Sequence, residues 1–389
     1  MPPPTSQSAN QQTARQPGFG SRLGNFWQRV TEGMELGQLW KQFRVDAQYS
    51  YRLYSRDVKA RASQETQRSS FWHTLQEFAW AILEKLSPAR RVLLLLAVVL
   101  LLFGGGEFTV HEKEGTVTTI TFPFQFYGGA LLFVLLMLEV ADRVTMKRDL
   151  EIARDIQRWL LPATPPQVPG LDIAFATRAA NTVAGDYYDV FARQSGGEPH
   201  FLLAVADVAG KSIPAALLMA TFQASLRTLA AAASSLADLL AGMNHYACTN
   251  SQGGLRFTTA FLADFNPADK SLIYINAGHN EPILRRKNGA VERLSNGGLP
   301  LGIQPDEKYE SGATNLQPGD WLIIFTDGLV EALNIREEEY GEARLLDVLN
   351  TSVEVLPDRL ILRIMASVDA FVGATPQHDD ITCMLVKVA

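Results

Sequence analysis

Two nearly charge-free stretches, close together, constrain this chain more than any other feature. Val92 to Gly106 reads VLLLLAVVLLLFGGG, and the run from Phe122 to Ala141, FPFQFYGGALLFVLLMLEVA, carries only Glu139 near its end. Crossing the hydrocarbon of a bilayer takes roughly 17 to 25 apolar helical residues, so the second run is long enough and the first must borrow from its flanks. Their proximity predicts a two-helix transmembrane hairpin over residues 89–142; a buried helix pair in a soluble domain is the alternative. Arg90 and Arg91 precede the first run, and Arg143, Lys147 and Arg148 follow the second. The connecting loop holds Glu107, Glu112 and Glu114 against Lys113. Basic residues favour the cytoplasmic side. The expectation is therefore a multi-pass protein of the inner membrane, in contact with the lipid bilayer, with its C-terminal region in the cytoplasm.

The flanks of this hairpin differ from one another. Residues 1–20 are rich in Pro, Gln, Ser and Thr and lack an apolar run, which predicts a disordered tail. Residues 21–88 hold many aromatics, and Phe71, Leu75, Phe78 and Ile82 share one helical face, so an N-terminal cytoplasmic helical region is expected. That face suits either the membrane interface or packing on other protein. Residues 143–162 read as a linker helix, with Met146, Leu150 and Ala153, and Ile152, Ile156 and Leu160 alongside, at helical spacing before Pro162. A short helix of this kind buries its stripe most readily against a second copy, which points to a homodimer through the linker; packing on its own domain is the alternative.

The length of 389 residues suggests two or three units. A formal net charge of −6, with no basic cluster in the second half, argues against nucleic acid as a partner. Cys248 and Cys383 lack Cys or His neighbours at metal-ligand spacing and read as small core residues in a reducing compartment.

Beyond residue 163 the pattern changes to short apolar runs ended by Gly, Asp and Asn. HFLLAVADV, FTTAFLADF, SLIYINAG, DWLIIFTDG and ITCMLVKV read as strands, and a long helix fits between Pro214 and Asn244. Strands interleaved with helices, without regular alternation, indicate an α+β domain over 163–389. Asp186 in AGDYYDV, Asp207 in VADVAGK, Asp327 in IFTDG and Asp379 in HDDIT fall at the ends of these elements. One such Asp is an ordinary turn former. Four in one domain are harder to explain that way, because gathered carboxylates repel unless a cation sits among them. Hard divalent ions prefer such oxygen donors, and a pair of them serves phosphoryl-ester hydrolysis. The residues alone do not separate a phosphatase from a nuclease or a phosphodiesterase.

In order, EIARDIQRWLLP, AGDYYDV, ADVAGKSIPAALLMA, NAGHNEPIL, GLPLGI, LQPGDWLIIFTDGLVEALN, YGEARL and HDDIT resemble the PPM-type (protein phosphatase 2C-like) phosphatases of the bacterial SpoIIE and RsbU group, across about 150–389. The resemblance implies a two-sheet antiparallel β-sandwich flanked by helices, with two manganese or magnesium ions. It makes Asp207 the bridging ligand, lets the Val208 carbonyl ligate one ion, and adds Asp186, Asp327 and Asp379; the neighbouring Asp380 is the weaker candidate. The implied reaction is attack of metal-activated water on phosphoserine or phosphothreonine without a phosphoenzyme. The implied substrate is a STAS-type anti-sigma factor antagonist. There are departures: Ala184 replaces the first of two glycines, Ser212 replaces the last glycine of a GKG-like turn, and Ala209 stands where eukaryotic relatives carry a histidine. The general acid is thus unassigned. His279 is a candidate for it, although a structural histidine is the stronger expectation, and Arg178 fits a surface ion pair better than a phosphate contact. Two other readings stand beside this one, a signalling scaffold that only binds a partner and another two-metal phosphoesterase.

Overall fold

The structure is a computed structural model that describes residues 83, 86–103, 106–111, 117–195, 197–250, 256–351 and 355–389. The expected tail 1–20 and nearly all of the N-terminal region 21–88, including the Phe71–Ile82 face, lie outside the described residues. The chain divides into two compact units, Met1–Glu139 and Val140–Ala389.

In the first unit, helix α1 (Pro88–Leu102) is followed by the antiparallel hairpin of β1 (Gly106–His111) and β2 (Val117–Phe122). Helix α2 (Phe124–Leu160) then begins. The segment expected to be only a loop between two spans therefore contains a β-ribbon. Proline at the start of α1 suits a helix N-terminus, where its missing N–H costs nothing. The two helices touch where side chains are smallest. A Cβ on Gly128 would lie 2.9 Å from the Ala97 carbonyl oxygen, and Ala97 is fully buried. Close approach through small residues is how helices associate when lipid is as apolar as their side chains. Arg90 pairs with Glu139 at 3.6 Å, which matches a basic residue at the start of one helix to the acid that ends the other apolar run.

Only α2, among the described residues, is long and apolar enough to cross a membrane. Helix α1 has 15 residues, about 22 Å at 1.5 Å per residue, against a hydrocarbon thickness of about 30 Å. The expectation of two full spans, and with it a multi-pass arrangement, is not supported. In sequence, three glycines, 104 to 106, follow α1, and each disfavours a helix by about 0.5 to 1 kcal/mol relative to alanine. The segments read separately as second span and linker form one helix, since no proline interrupts it from Phe124 to Leu160 and Pro162 stands one residue beyond its end.

The second unit is a sandwich of two sheets. One runs β10 (Gly297–Gly298), β7 (Ser271–Ala277), β6 (Thr258–Phe265), β5 (Glu198–Val208), β4 (Tyr187–Ser195), with β11 (Gly312–Asn315) also paired to β7. The other runs β3 (Leu171–Arg178), β13 (Ile381–Val388), β12 (Trp321–Phe325), β8 (Ile283–Arg285), β9 (Val291–Arg293). All neighbours are antiparallel except β10 with β7.

The period of two along each strand decides the layers. Leu203 and Val205 of β5, with Met384 and Val386 of β13, point between the sheets. Leu202, Ala204 and Ala206 pack instead beneath helices α3 (Ser212–Leu229) and α4 (Leu236–Asn250). On the other sheet, Ile323, Cys383 and Leu385 pack beneath α6 (Gly341–Asn350) and α7 (Pro357–Val372), which follow the four-residue helix α5 (Asp327–Val330). Both faces of the central strands are covered, which is why their sequences read as continuous apolar runs. The architecture is the expected α+β sandwich of two sheets flanked by helices.

Candidate active site

Strand register brings the sequence-predicted acids to one end of the sandwich. Tyr187 pairs with Ala206, so Asp186 stands beside Asp207 across the β4–β5 ladder. On the other sheet, Phe325 pairs with Cys383, and the Thr326 N–H continues that ladder to the Thr382 carbonyl at 3.0 Å. This puts Asp327, the first residue of α5, near Asp379 and Asp380, which precede β13. The Thr326 hydroxyl joins the two sheets by donating to Asp186 Oδ2 at 3.0 Å.

Adjacent Asp379 and Asp380 are put to different uses. Asp380 accepts from the Ala180 N–H at 2.7 Å and the Gly185 N–H at 2.6 Å, and so fastens the loop that carries Asp186. Asp379 meets Lys211 at 3.0 Å, and Lys211 also donates to the His378 carbonyl. Asp379 therefore remains at the site, while Asp380 has a structural role that sequence reading gave no sign of. Gln157 was missed as well. Its Nε2 donates to the Ala184 carbonyl at 2.6 Å and its Oε1 accepts from the Ala184 N–H at 3.0 Å, clamping the end of α2 to the same loop. No local signal marks it, since the same helix carries other uncharged polar residues, Gln125 and Thr145.

Two glycines keep the site open. A Cβ on Gly185 would lie 3.0 Å from the Val208 carbonyl oxygen and 3.7 Å from Asp207 Oδ1, filling the space beside both. A Cβ on Gly328 would lie 2.0 Å from the Asp380 carbonyl oxygen, so the loops bearing Asp327 and Asp380 approach through an absent side chain. Ser212, the departure from a GKG-like turn, has φ 63°, a left-handed conformation that glycine adopts without strain.

The electrostatics follow from burial. Asp186 is almost fully buried, and its carboxyl pKa is raised by that burial and next by Asp207. Burial, then the charges of Asp327, Asp379 and Asp380, pushes Asp207 up to about 7. Asp327 is raised by burial and by Asp379, and Glu331 by burial and by Asp327. Asp186 Oδ1 is buried with no hydrogen-bond partner. These oxygen donors, one of them orphaned, fit a hard divalent cation by chemistry. Among the described residues, however, no three His, Cys, Asp or Glu side chains gather tightly enough to hold an ion as they stand. The carboxylates are near enough to disturb one another's ionisation but are not drawn onto one point.

His279 does not suit proton donation. It is buried, its Nδ1 lies 3.0 Å from the Thr259 hydroxyl, and burial pushes its pKa down to about 4 against a smaller opposing contribution from the Phe325 backbone. It is therefore neutral at physiological pH. Arg178 pairs with Asp369 of α7, in the ordinary ion pair expected of it. Cys383 is buried in the core and Cys248 is partly buried, both as free thiols.

Residues 197–389 match the protein family described as stage II sporulation protein E (SpoIIE). Phosphoserine phosphatase RsbU of Bacillus subtilis is 32% identical over 188 residues, which cover 48% of this chain and 54% of that protein. Protein IcfG of Synechocystis is 26% identical over 278 residues, covering 65% of this chain and 43% of that one. The chain thus spans about half the length of the curated relatives it matches. Among solved structures, the SiaA-PP2C domain of Pseudomonas aeruginosa superposes with a TM-score of 0.55 at 22% identity, covering 64% of this chain and 99% of that domain. The fold, and sequence similarity spread over 197–389, agree: this segment belongs to the SpoIIE family of PP2C-type phosphatase domains.

Proposed function

We propose that the chain is a membrane-anchored, metal-dependent protein serine/threonine phosphatase. The observation that carries this reading is the collection of carboxylates at one end of the sandwich, with Asp186 buried and the half-buried Asp207 held near 7, in a domain of this family. Asp186, Asp207, Asp327 and Asp379, with the Val208 carbonyl, would hold two manganese or magnesium ions. Such ions supply Lewis acidity to the phosphoryl group and activate the attacking water. The protein's own residues set the stage for that chemistry. Asp380 and Gln157 fix the loop of Asp186, the Thr326 hydroxyl orients that carboxylate, and Lys211 places positive charge beside Asp379. No side chain is assigned to protonate the leaving seryl oxygen.

The substrate is a phosphoserine or phosphothreonine on a regulatory protein. The name of the relative RsbU supports phosphoserine, and a STAS-type anti-sigma factor antagonist is the proposed partner. The apolar, outward-facing first half of α2 anchors the chain in the bilayer, with the phosphatase domain cytoplasmic. Ile152, Ile156 and Trp159 form an exposed stripe on the same helix, with Trp159 82% exposed, and a second copy of the chain would cover it.

One observation favours the scaffold alternative, since the acids do not converge as they stand. The orphaned buried oxygen of Asp186 weighs against it, because a binding surface gains nothing from an unsatisfied carboxylate. The deciding test is manganese-dependent release of phosphate from a phosphoserine protein by the full-length chain in detergent. Retention of activity in both Asp207→Ala and Asp327→Ala would falsify this assignment.

A further inference from the structure

Helices α3 and α4 leave a concave groove of about 220 Å³ beside the sandwich, with Leu218 and Phe222 on one side, Met243 and Tyr246 on the other, and Leu301 and Arg256 completing it. Two of its polar side chains are satisfied from within: Thr221 donates to the Leu218 carbonyl at 2.7 Å and Asn250 to the Tyr246 carbonyl at 2.9 Å. Arg256 is the charged side chain in the lining. No Asp or Glu lines the groove, and among the described residues the Arg256 side chain has no hydrogen-bond or ion-pair partner. A partly buried guanidinium against an apolar wall is positioned for an acid supplied from outside.

Size and surroundings indicate what brings that acid. Small-molecule sites usually enclose about 300 to 1,000 Å³. This groove is smaller and suits one large apolar side chain, the kind of anchor that dominates protein interfaces. Around it, Leu217 is 63% exposed, Ile213 and Tyr246 are each 47% exposed, and Phe257 is 37% exposed, an apolar rim suited to a protein surface.

Location ties the groove to the chemistry. Thr258, another lining residue, pairs with Val208, and the Phe257 carbonyl accepts from the Ala209 N–H at 2.9 Å. One strand spacing, about 5 Å, thus separates the groove's edge from the backbone that follows Asp207. Phe222 packs edge-on against Tyr187, the residue after Asp186, at 5.4 Å between ring centroids.

We propose that this groove docks the phosphoprotein substrate: a segment near its phosphoserine places a large apolar side chain between α3 and α4 and an acidic residue against Arg256. This rests on the phosphatase reading above and specifies how that site selects its substrate.

The test uses the full-length chain in detergent with manganese and a set of phosphoserine peptides in which one Leu and one Glu are moved through a Ser/Ala background. Turnover is compared with that of p-nitrophenyl phosphate, which is too small to reach the groove and the site together. One Leu–Glu register should exceed the background peptide at least tenfold in kcat/KM. Arg256→Glu should lower the ratio of peptide to p-nitrophenyl phosphate turnover for that register, and Lys in place of the peptide's Glu should restore it. Equal turnover of all registers overturns the proposal. So does an Arg256→Glu variant that loses both substrates in proportion, or one that changes the oligomeric state, which would assign the groove to a second copy. If wild-type protein hydrolyses neither substrate, the phosphatase reading fails; fluorescence anisotropy with the same peptides then decides docking separately, by the presence or absence of the register preference.

Discussion

The two units break the usual rule of folding in opposite directions. In the first, α1 and the start of α2 leave Leu95, Leu102, Phe133 and Leu136 exposed, and Ala97 is the buried apolar side chain among the described residues. In the second, apolar residues fill three clusters, and the anomaly is charge: Asp186 is buried with one oxygen unsatisfied, and Asp207 is held near 7. Exposed apolar helix and buried unpaired carboxylate both cost free energy in water. On the proposed function, something outside the polypeptide would relieve each anomaly, lipid in the first unit and a divalent cation in the second. Altering each anomaly separately should therefore give opposite effects on stability and on function.

The largest effect is expected at Asp207. Changing a group that merely supports a metal ligand costs about 10- to 100-fold, so Asp207→Asn should lower manganese-dependent turnover at least about 100-fold. The same change should stabilise the metal-free protein, because it removes a charge from beside Asp327 and Asp379. The pH dependence has a definite sign. Asp207 is raised in the folded state from an ordinary value near 3.8 to about 7, so the stability it contributes is present below pH 4 and is lost as pH rises toward 7. Urea midpoints measured in chelator should fall across that window, and less so in Asp207→Asn. A flat profile would show that burial and the neighbouring carboxylates do not raise Asp207 in the folded state.

In the first unit the corresponding change is Leu136→Arg, at a position 57% exposed on α2. Charge near the centre of a spanning helix costs about 3 kcal/mol of insertion. Carbonate-resistant membrane association should weaken, while turnover per folded molecule in detergent stays within about twofold of wild type. Equal membrane retention by variant and wild type would mean that this surface does not face lipid. Next in size is Gly328→Ala, whose Cβ would overlap the Asp380 carbonyl. Overpacking costs about 1 to 3 kcal/mol, seen as a lower denaturation midpoint together with reduced manganese-dependent activity.

Much of the second unit was legible because its strands are apolar on both faces and end in acids that stay at the surface of the sheet. Asp207, Asp327 and Asp379 could be read one strand end at a time. What sequence did not show was how neighbours divide the work. Asp379 and Asp380 are chemically identical, and only the backbone N–H groups of Ala180 and Gly185, about 200 residues away in sequence, give Asp380 its structural role. The Gln157 clamp is likewise a long-range pairing with no local signature. The continuous α2 was divided in sequence because its surroundings change from apolar to charged near Asp142, whereas helical backbone bonding is indifferent to that change. The β1–β2 ribbon was missed between two stronger apolar signals.

The smallest effect sharpens the comparison from within the catalytic unit, where strain can be separated from charge. Ser212 sits at φ 63° directly after Lys211, the cation paired with Asp379. A left-handed conformation costs a residue with a Cβ about 1 to 2 kcal/mol. Glycine removes that cost but loses about 0.5 to 1 kcal/mol through the greater freedom of its unfolded chain. The balance favours Ser212→Gly by about 0.5 kcal/mol, whereas Ser212→Ala keeps the strain and should not stabilise. A higher denaturation midpoint for glycine alone locates the cost in the backbone. Equal midpoints for glycine and alanine would locate it in the serine side chain and leave the turn unstrained.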